Sequence, residues 1–146
     1  MGRHYDNLMT NFEEEYEDVL QNIEFAIMGV YREHPELVDS EVEKAVNALI
    51  LTYQAEMQRR TPSPVSFTPL GQQVYVRVQS MCEWRLGRQE VFLTASGEHL
   101  PKPEPLSLEA MIACLKRIRK SVQTWTRREG RQGYLRFVEE FFPYAA

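Results

Sequence analysis

Residues 74–78 read Val74-Tyr75-Val76-Arg77-Val78, and whether this stretch is strand or helix decides the fold class. Apolar and β-branched residues alternate through it, as they do in a half-buried strand. Its surroundings favour a helix. Thr68 followed by Pro69 is a helix start: a hydroxyl to cap the first turn, then a ring at the first helical position, where a missing amide hydrogen costs nothing. From there Leu70, Val74, Val78, Met81 and then Arg85 or Leu86 recur at the spacing of one helix face, and a lone strand would have no partner. The spacing predicts a helix over 68–93, with Gly87 either ending it or weakening it before Gln89-Glu90-Val91-Phe92-Leu93.

On the N-terminal side, Leu8, Phe12, Tyr16, Val19, Leu20, Ile23, Ala26, Ile27, Val30 and Tyr31 recur at three and four, one long amphipathic helix over 5–34 that Pro35 closes. A second helix is expected over 39–60, opened by Ser40 with Glu43 as a capping box, with Val42, Ala45, Val46, Leu49, Ile50 and Tyr53 inward. Thr61-Pro62-Ser63-Pro64 ends it, because proline fixes φ and removes amide donors. On the C-terminal side, Pro101, Pro103 and Pro105 alternate in an extended connection over 94–106. Ser107 then caps a helix over 107–129, with Leu106 placed to staple against Met111. Its inward face is Leu108, Met111, Ile112, Leu115, Ile118, Val122 and Trp125. A short aromatic helix over 134–142 stops at Pro143. The expected fold is a single all-α domain over 1–146, a helical bundle of about five helices, with Pro-rich connections near 61–67 and 94–106.

The chain has 146 residues, 43% hydrophobic and 26% charged, a composition that supports a packed core without a metal or disulfide. No apolar run approaches the roughly 20 residues of a bilayer span, and the N-terminus lacks a signal-peptide stretch, so a soluble, cytoplasmic protein is expected. Asp6 stands where N-myristoylation after Gly2 wants Ser or Thr. Cys82 and Cys114 each fall within an expected helix and read as small core residues.

The sequence carries few signs of chemistry. No histidine follows a glutamate by three residues, as a bundle di-iron site requires, and three scattered histidines with two distant cysteines do not make a zinc site. There is no nucleophile elbow, P-loop or dinucleotide fingerprint. No metal, cofactor or catalytic residue is therefore assigned, and the chain is expected not to be an enzyme. Glu13-Glu14-x-x-Glu17, followed by Glu36-x-x-Asp39, resembles the magnesium-binding signature of the all-α nucleoside triphosphate pyrophosphatases. That resemblance implies four carboxylates from two adjacent helices converging on metal ions that hold a triphosphate. Helix geometry opposes it: Glu17 and Glu36 lie roughly 25 Å apart along the first helix, whereas shared metal ligands crowd within a few ångström. A solvated acidic cluster is the simpler expectation.

Charge is strongly segregated. Residues 1–57 hold three Lys or Arg against thirteen Asp or Glu, and residues 58–146 hold fourteen against eight. On the fourth helix Lys116, Lys120, Arg127 and Arg131 fall within about 60° of one another at 100° per residue, flanked by Arg117 and Arg128. This face is the candidate surface for a partner or an anion. The leading expectation is a non-enzymatic protein-interaction module, a homodimer through the first helix or the aromatic C-terminal one, that recognises another protein. The alternative is a nucleic-acid or anion-binding module using the basic face, which the chain's overall negative charge opposes.

Overall fold

The structure, a computed structural model, describes the backbone of residues 2–93 and 97–127, with side chains from Tyr16 onward except at 93, 101, 126 and 127. Its elements are helices α1 (Gly2–Glu33), α2 (Asp39–Met57) and α3 (Pro69–Arg85), strands β1 (Val91–Leu93) and β2 (His99–Pro101), and helix α4 (Leu108–Arg127). The fold is all-α with one small hairpin. The fifth expected helix, over 134–142, lies outside the described residues.

Residues 74–78 are helical. Val74 and Val78 are fully buried with Met81 and Cys82, while Val76 is 51% exposed, so the inward positions follow the helical period. Thr68 accepts the Gly71 amide hydrogen at 3.1 Å, and Pro69 is the first helical residue. The helix stops sooner than expected. Gly87 takes φ +78°, its amide donates to the Trp84 carbonyl at 3.0 Å, and the Arg88 amide donates to the Glu83 carbonyl at 2.9 Å. This is a Schellman cap. Beyond it Val91-Phe92-Leu93 is strand, not helix, and pairs antiparallel with His99-Leu100-Pro101, Phe92 opposite Leu100. The expected wholly extended connection therefore contains a strand. Phe92 stacks on Trp84, ring centroids 5.4 Å apart, which anchors the hairpin to α3.

α2 begins at Asp39, as expected, but with a different cap, and it ends sooner than expected. It begins after Val38, whose amide donates to the Glu41 carboxylate at 3.5 Å; Ser40 lies inside the first turn, so the Ser40–Glu43 box does not form. At the other end Arg59 adopts φ +54°, its amide donating to the Glu56 carbonyl at 3.0 Å and that of Arg60 to the Ala55 carbonyl at 2.7 Å. α2 thus ends in the same kind of cap as α3, with an arginine where glycine is preferred.

The helix directions follow from cross-links. Thr68, which precedes α3, donates to Glu41 near the start of α2, and Tyr53 donates to Glu83 at 2.8 Å near the far ends of the two helices, so α2 and α3 run parallel. Residues 58–68 return alongside α2 to make this possible, held by Lys44, which donates to the Ser66 carbonyl and lies over the Phe67 ring. α4 runs antiparallel to α2: Arg119 donates to Asn47 at 2.7 Å and Gln123 to Glu43 at 2.8 Å. α1 runs antiparallel to α3, with Arg77 on Glu33 at 3.0 Å. The bundle is up-down-down-up, with α1 and α2 on one diagonal and α3 and α4 on the other.

Inside, Ile23, Ile27, Met28, Leu49, Met81, Leu115 and Ile118 are fully buried, and among the described residues no polar or charged residue is buried with them. Tyr31 and Tyr53 reach the rim, where their hydroxyls donate to Asp39 and Glu83.

The two caps make opposite predictions. Gly87→Ala would place a Cβ 3.0 Å from Pro105 Cβ at positive φ and is expected to destabilise by at least about 1 kcal/mol. Arg59→Gly removes the left-handed strain and is expected to stabilise by up to about 1 kcal/mol. Urea titration followed by circular dichroism checks both.

Candidate functional site

An apolar core among the described residues leaves the surface as the place to look for function. The acidic positions do not gather there into a metal centre. Glu17 and Glu36 are exposed; Glu36 follows the turn at Pro35 with a carboxylate oxygen 3.6 Å from His34 Nδ1, and Asp39 accepts the Tyr31 hydroxyl. No group of three or more potential ligands converges among the described residues. The side chains of Glu13 and Glu14 are outside the description.

Of the basic face on α4, Lys116 and Lys120 are exposed one turn apart, and Arg117 is half-buried, its carbonyl accepting the Ser121 hydroxyl at 3.2 Å. The side chain of Arg127, and Arg128 and Arg131 entirely, lie outside the described residues. Within the described part the two lysines are bordered by acids: Glu109 lies two turns before Lys116 on the same exposed face, and Gln123 reaches Glu43.

The most developed polar arrangement lies where the C-terminal ends of α2 and α3 meet, and reading along the sequence did not assemble it. Because the two helices run parallel, both of their caps fall at one end of the bundle. Arg88, just past the α3 cap, forms a two-pronged pair with Glu56 of α2, its Nη1 and Nη2 each 3.0 Å from a carboxylate oxygen, and lies 3.5 Å from Glu83. The hydrogen bond to Glu56 raises the Arg88 pKa, and the charges of Glu56 and Glu83 add to it. Burial chiefly, with Cys82 and Glu83 adding, pushes the Tyr53 phenol above its ordinary value, so it stays a neutral donor. Arg59, Arg60, Thr61, Pro62 and Gln79 complete an open cleft of about 500 Å³. With Glu56 and Glu83 already satisfied, Arg59 and Arg60 are left without an ion pair among the described residues; Arg60 donates only to Gln58, at 3.2 Å. The signal that could have revealed this cleft is Glu-x-x-Arg-Arg at 56–60 with Glu83 and Arg88, but only parallel helices bring the two groups together.

At the same end, Arg85 is half-buried with its Nε shielded and unpaired, its guanidinium over the Trp84 ring at 5.4 Å. Burial lowers its pKa, while the charge of Asp18 on α1 opposes that shift. Both cysteines are fully buried, as their place in the helical pattern suggested. Burial raises the Cys82 thiol, with Glu83 adding, and pushes Cys114 up to about 11 against the opposing charge of Arg85. Neither is set up as a thiolate nucleophile, which requires a depressed pKa and access.

No family model, curated protein or solved structure matches the chain.

Both thiols are expected to resist a disulfide reagent in the native protein at pH 8 and to react together on unfolding in guanidinium. A rapid reaction of either one in the native state, followed by absorbance, would contradict the burial described above.

Proposed function

We propose that the protein is a non-enzymatic helical interaction module that acts as a homodimer, with the N-terminal half of α1 as its recognition element. One observation carries this reading. α1 is a single unbroken helix from Gly2 to Glu33, and α3, which packs antiparallel against it, ends part-way along it. Asp18 lies within electrostatic reach of Arg85, the last residue of α3, so residues 2–15 continue about 21 Å beyond that level at 1.5 Å per residue.

The continuing segment has an apolar stripe. Tyr16, Val19 and Ile23 pack in or against the core, and at 100° per residue Phe12, Leu8 and Tyr5 fall on the same line, within about 40° of it. Glu13 and Glu15 flank that line and Glu14 lies opposite. An isolated helix of this length is marginal in water, and a stripe of large apolar residues calls for a partner surface. α4 ends at Arg127, at the opposite end of the bundle. A second copy supplies a matching element without any further component, which is the commonest form of assembly.

Light scattering at low and high salt tests this. The expected result is twice the 17.1 kDa chain mass at both, and monomers with retained helicity for Leu8→Glu/Phe12→Glu. A wild-type monomer at every concentration would overturn the proposal.

A further inference from the structure

We infer, on the homodimer reading above, that the outer face of the C-terminal half of α2 is the docking site for the N-terminal half of α1 from the second copy, each copy giving its helix to the other. Three observations converge on that face.

The first is apolar exposure. Leu51, Met57 and Val65 are 51%, 50% and 39% exposed, three of the six large hydrophobics so exposed among the described residues. Leu51 and Val65 line one shallow cleft, floored by Ala48 and Ala55 and walled by the returning segment at Pro62. Met57 lines a second cleft with Glu109 and Ile112 of α4, so the arginine end of the surface, and not the α4 side, is the basic one. Gln54 and Gln58 border both clefts, so the two form one continuous surface. Small residues on its floor leave room for large side chains such as Leu8 and Phe12.

The second is charge. Arg60 lines the first of these clefts and Arg59 precedes it at the end of α2, neither with an ion pair among the described residues, whereas residues 2–15 carry one arginine against Asp6, Glu13, Glu14 and Glu15. Glu13 and Glu15 flank the apolar stripe, the position from which a docked helix meets charges at the edge of a groove. The arginines therefore select an acidic amphipathic helix, and this chain contains one.

The third is position. The α2 face opens at the end of the bundle past which α1 continues, yet α1 runs on beyond that end as a continuous helix, away from its own α2. A second copy turned end over end directs its α1 back down along the first, and the two-fold relation makes the exchange reciprocal. Ala48 to Gln58 spans about 15 Å of α2 and residues 2–15 about 21 Å, so the lengths correspond.

A charge exchange separates this inference from the dimer reading beneath it. Arg59→Glu/Arg60→Glu and Glu13→Lys/Glu15→Lys are each expected to weaken self-association at least tenfold by sedimentation velocity, with unchanged helicity. An equimolar mixture is expected to regain the dimer, because in a mixed pair both dockings join opposite charges. Leu51→Asp, at an exposed position, is expected to give monomers. A wild-type monomer would overturn both the inference and the homodimer reading. Wild-type-like dimers of the arginine variant and of Leu51→Asp would overturn the docking site alone, and so would a mixture that stays monomeric.

Discussion

The parallel pairing of α2 and α3 is the constraint on which the rest of the architecture depends. Successive helices joined by a short loop lie antiparallel, so a parallel pair needs a connection as long as the helix itself. Residues 58–68 meet that requirement: eleven residues in extended form reach about 36 Å, more than the roughly 28 Å of the nineteen-residue α2. Pro62 and Pro64 keep the segment extended at little entropic cost, and Lys44 and Glu41 fasten its far end to α2 through Ser66 and Thr68. From this one return, α1 and α2 fall on a diagonal, α4 packs antiparallel to α2 and parallel to α1, and the caps of α2 and α3 come side by side.

That juxtaposition explains why the polar chemistry of the protein sits where it does. A helix end leaves carbonyl groups that must be satisfied, and both α2 and α3 satisfy theirs by reversing the chain through a left-handed residue. Arg59, the left-handed residue of the α2 cap, and Arg60 and Arg88, which directly follow the two left-handed residues, are thereby directed to one end of the bundle. Arg88 is drawn into a pair with Glu56 that is about 40% exposed on each side, and such a pair adds little to stability on its own. Its effect is to register α2 against α3 and to occupy the carboxylates that Arg59 and Arg60 would otherwise meet.

Much of this was legible from residue order where a local signal decided the outcome. Thr68-Pro69 announced α3, Ser107 opened α4 with its hydroxyl 3.1 Å from the Ala110 amide, and among the described side chains the inward stripes of the helices follow the 3.6-residue period into the core. The misses came where two local preferences competed. Val91-Phe92-Leu93 continues the apolar pattern of α3, but the Gly87 cap intervenes and the β-branched and aromatic side chains take up a strand pairing with 99–101 instead. At Ser40, the hydroxyl was a plausible cap, yet Val38, next to the buried Leu37, takes the cap position two residues earlier. The cleft was illegible for a different reason. Its two halves are 27 residues apart, from Glu56 to Glu83, and only the direction of α3 joins them; no periodicity encodes direction.

Arg59 shows how the fold and the proposed docking bear on each other. Glycine at its position would relieve the backbone without disturbing the cap, because the two capping hydrogen bonds use main-chain atoms alone. The strain is therefore not required by the bundle, and a residue that costs stability without serving the fold is most simply understood through what its side chain meets. On the docking reading, that is the acidic flank of a second copy's α1. On that reading, the acidic helix that leaves the bundle and the arginines that receive it are kept from pairing within one molecule by the continuity of α1 past Asp18.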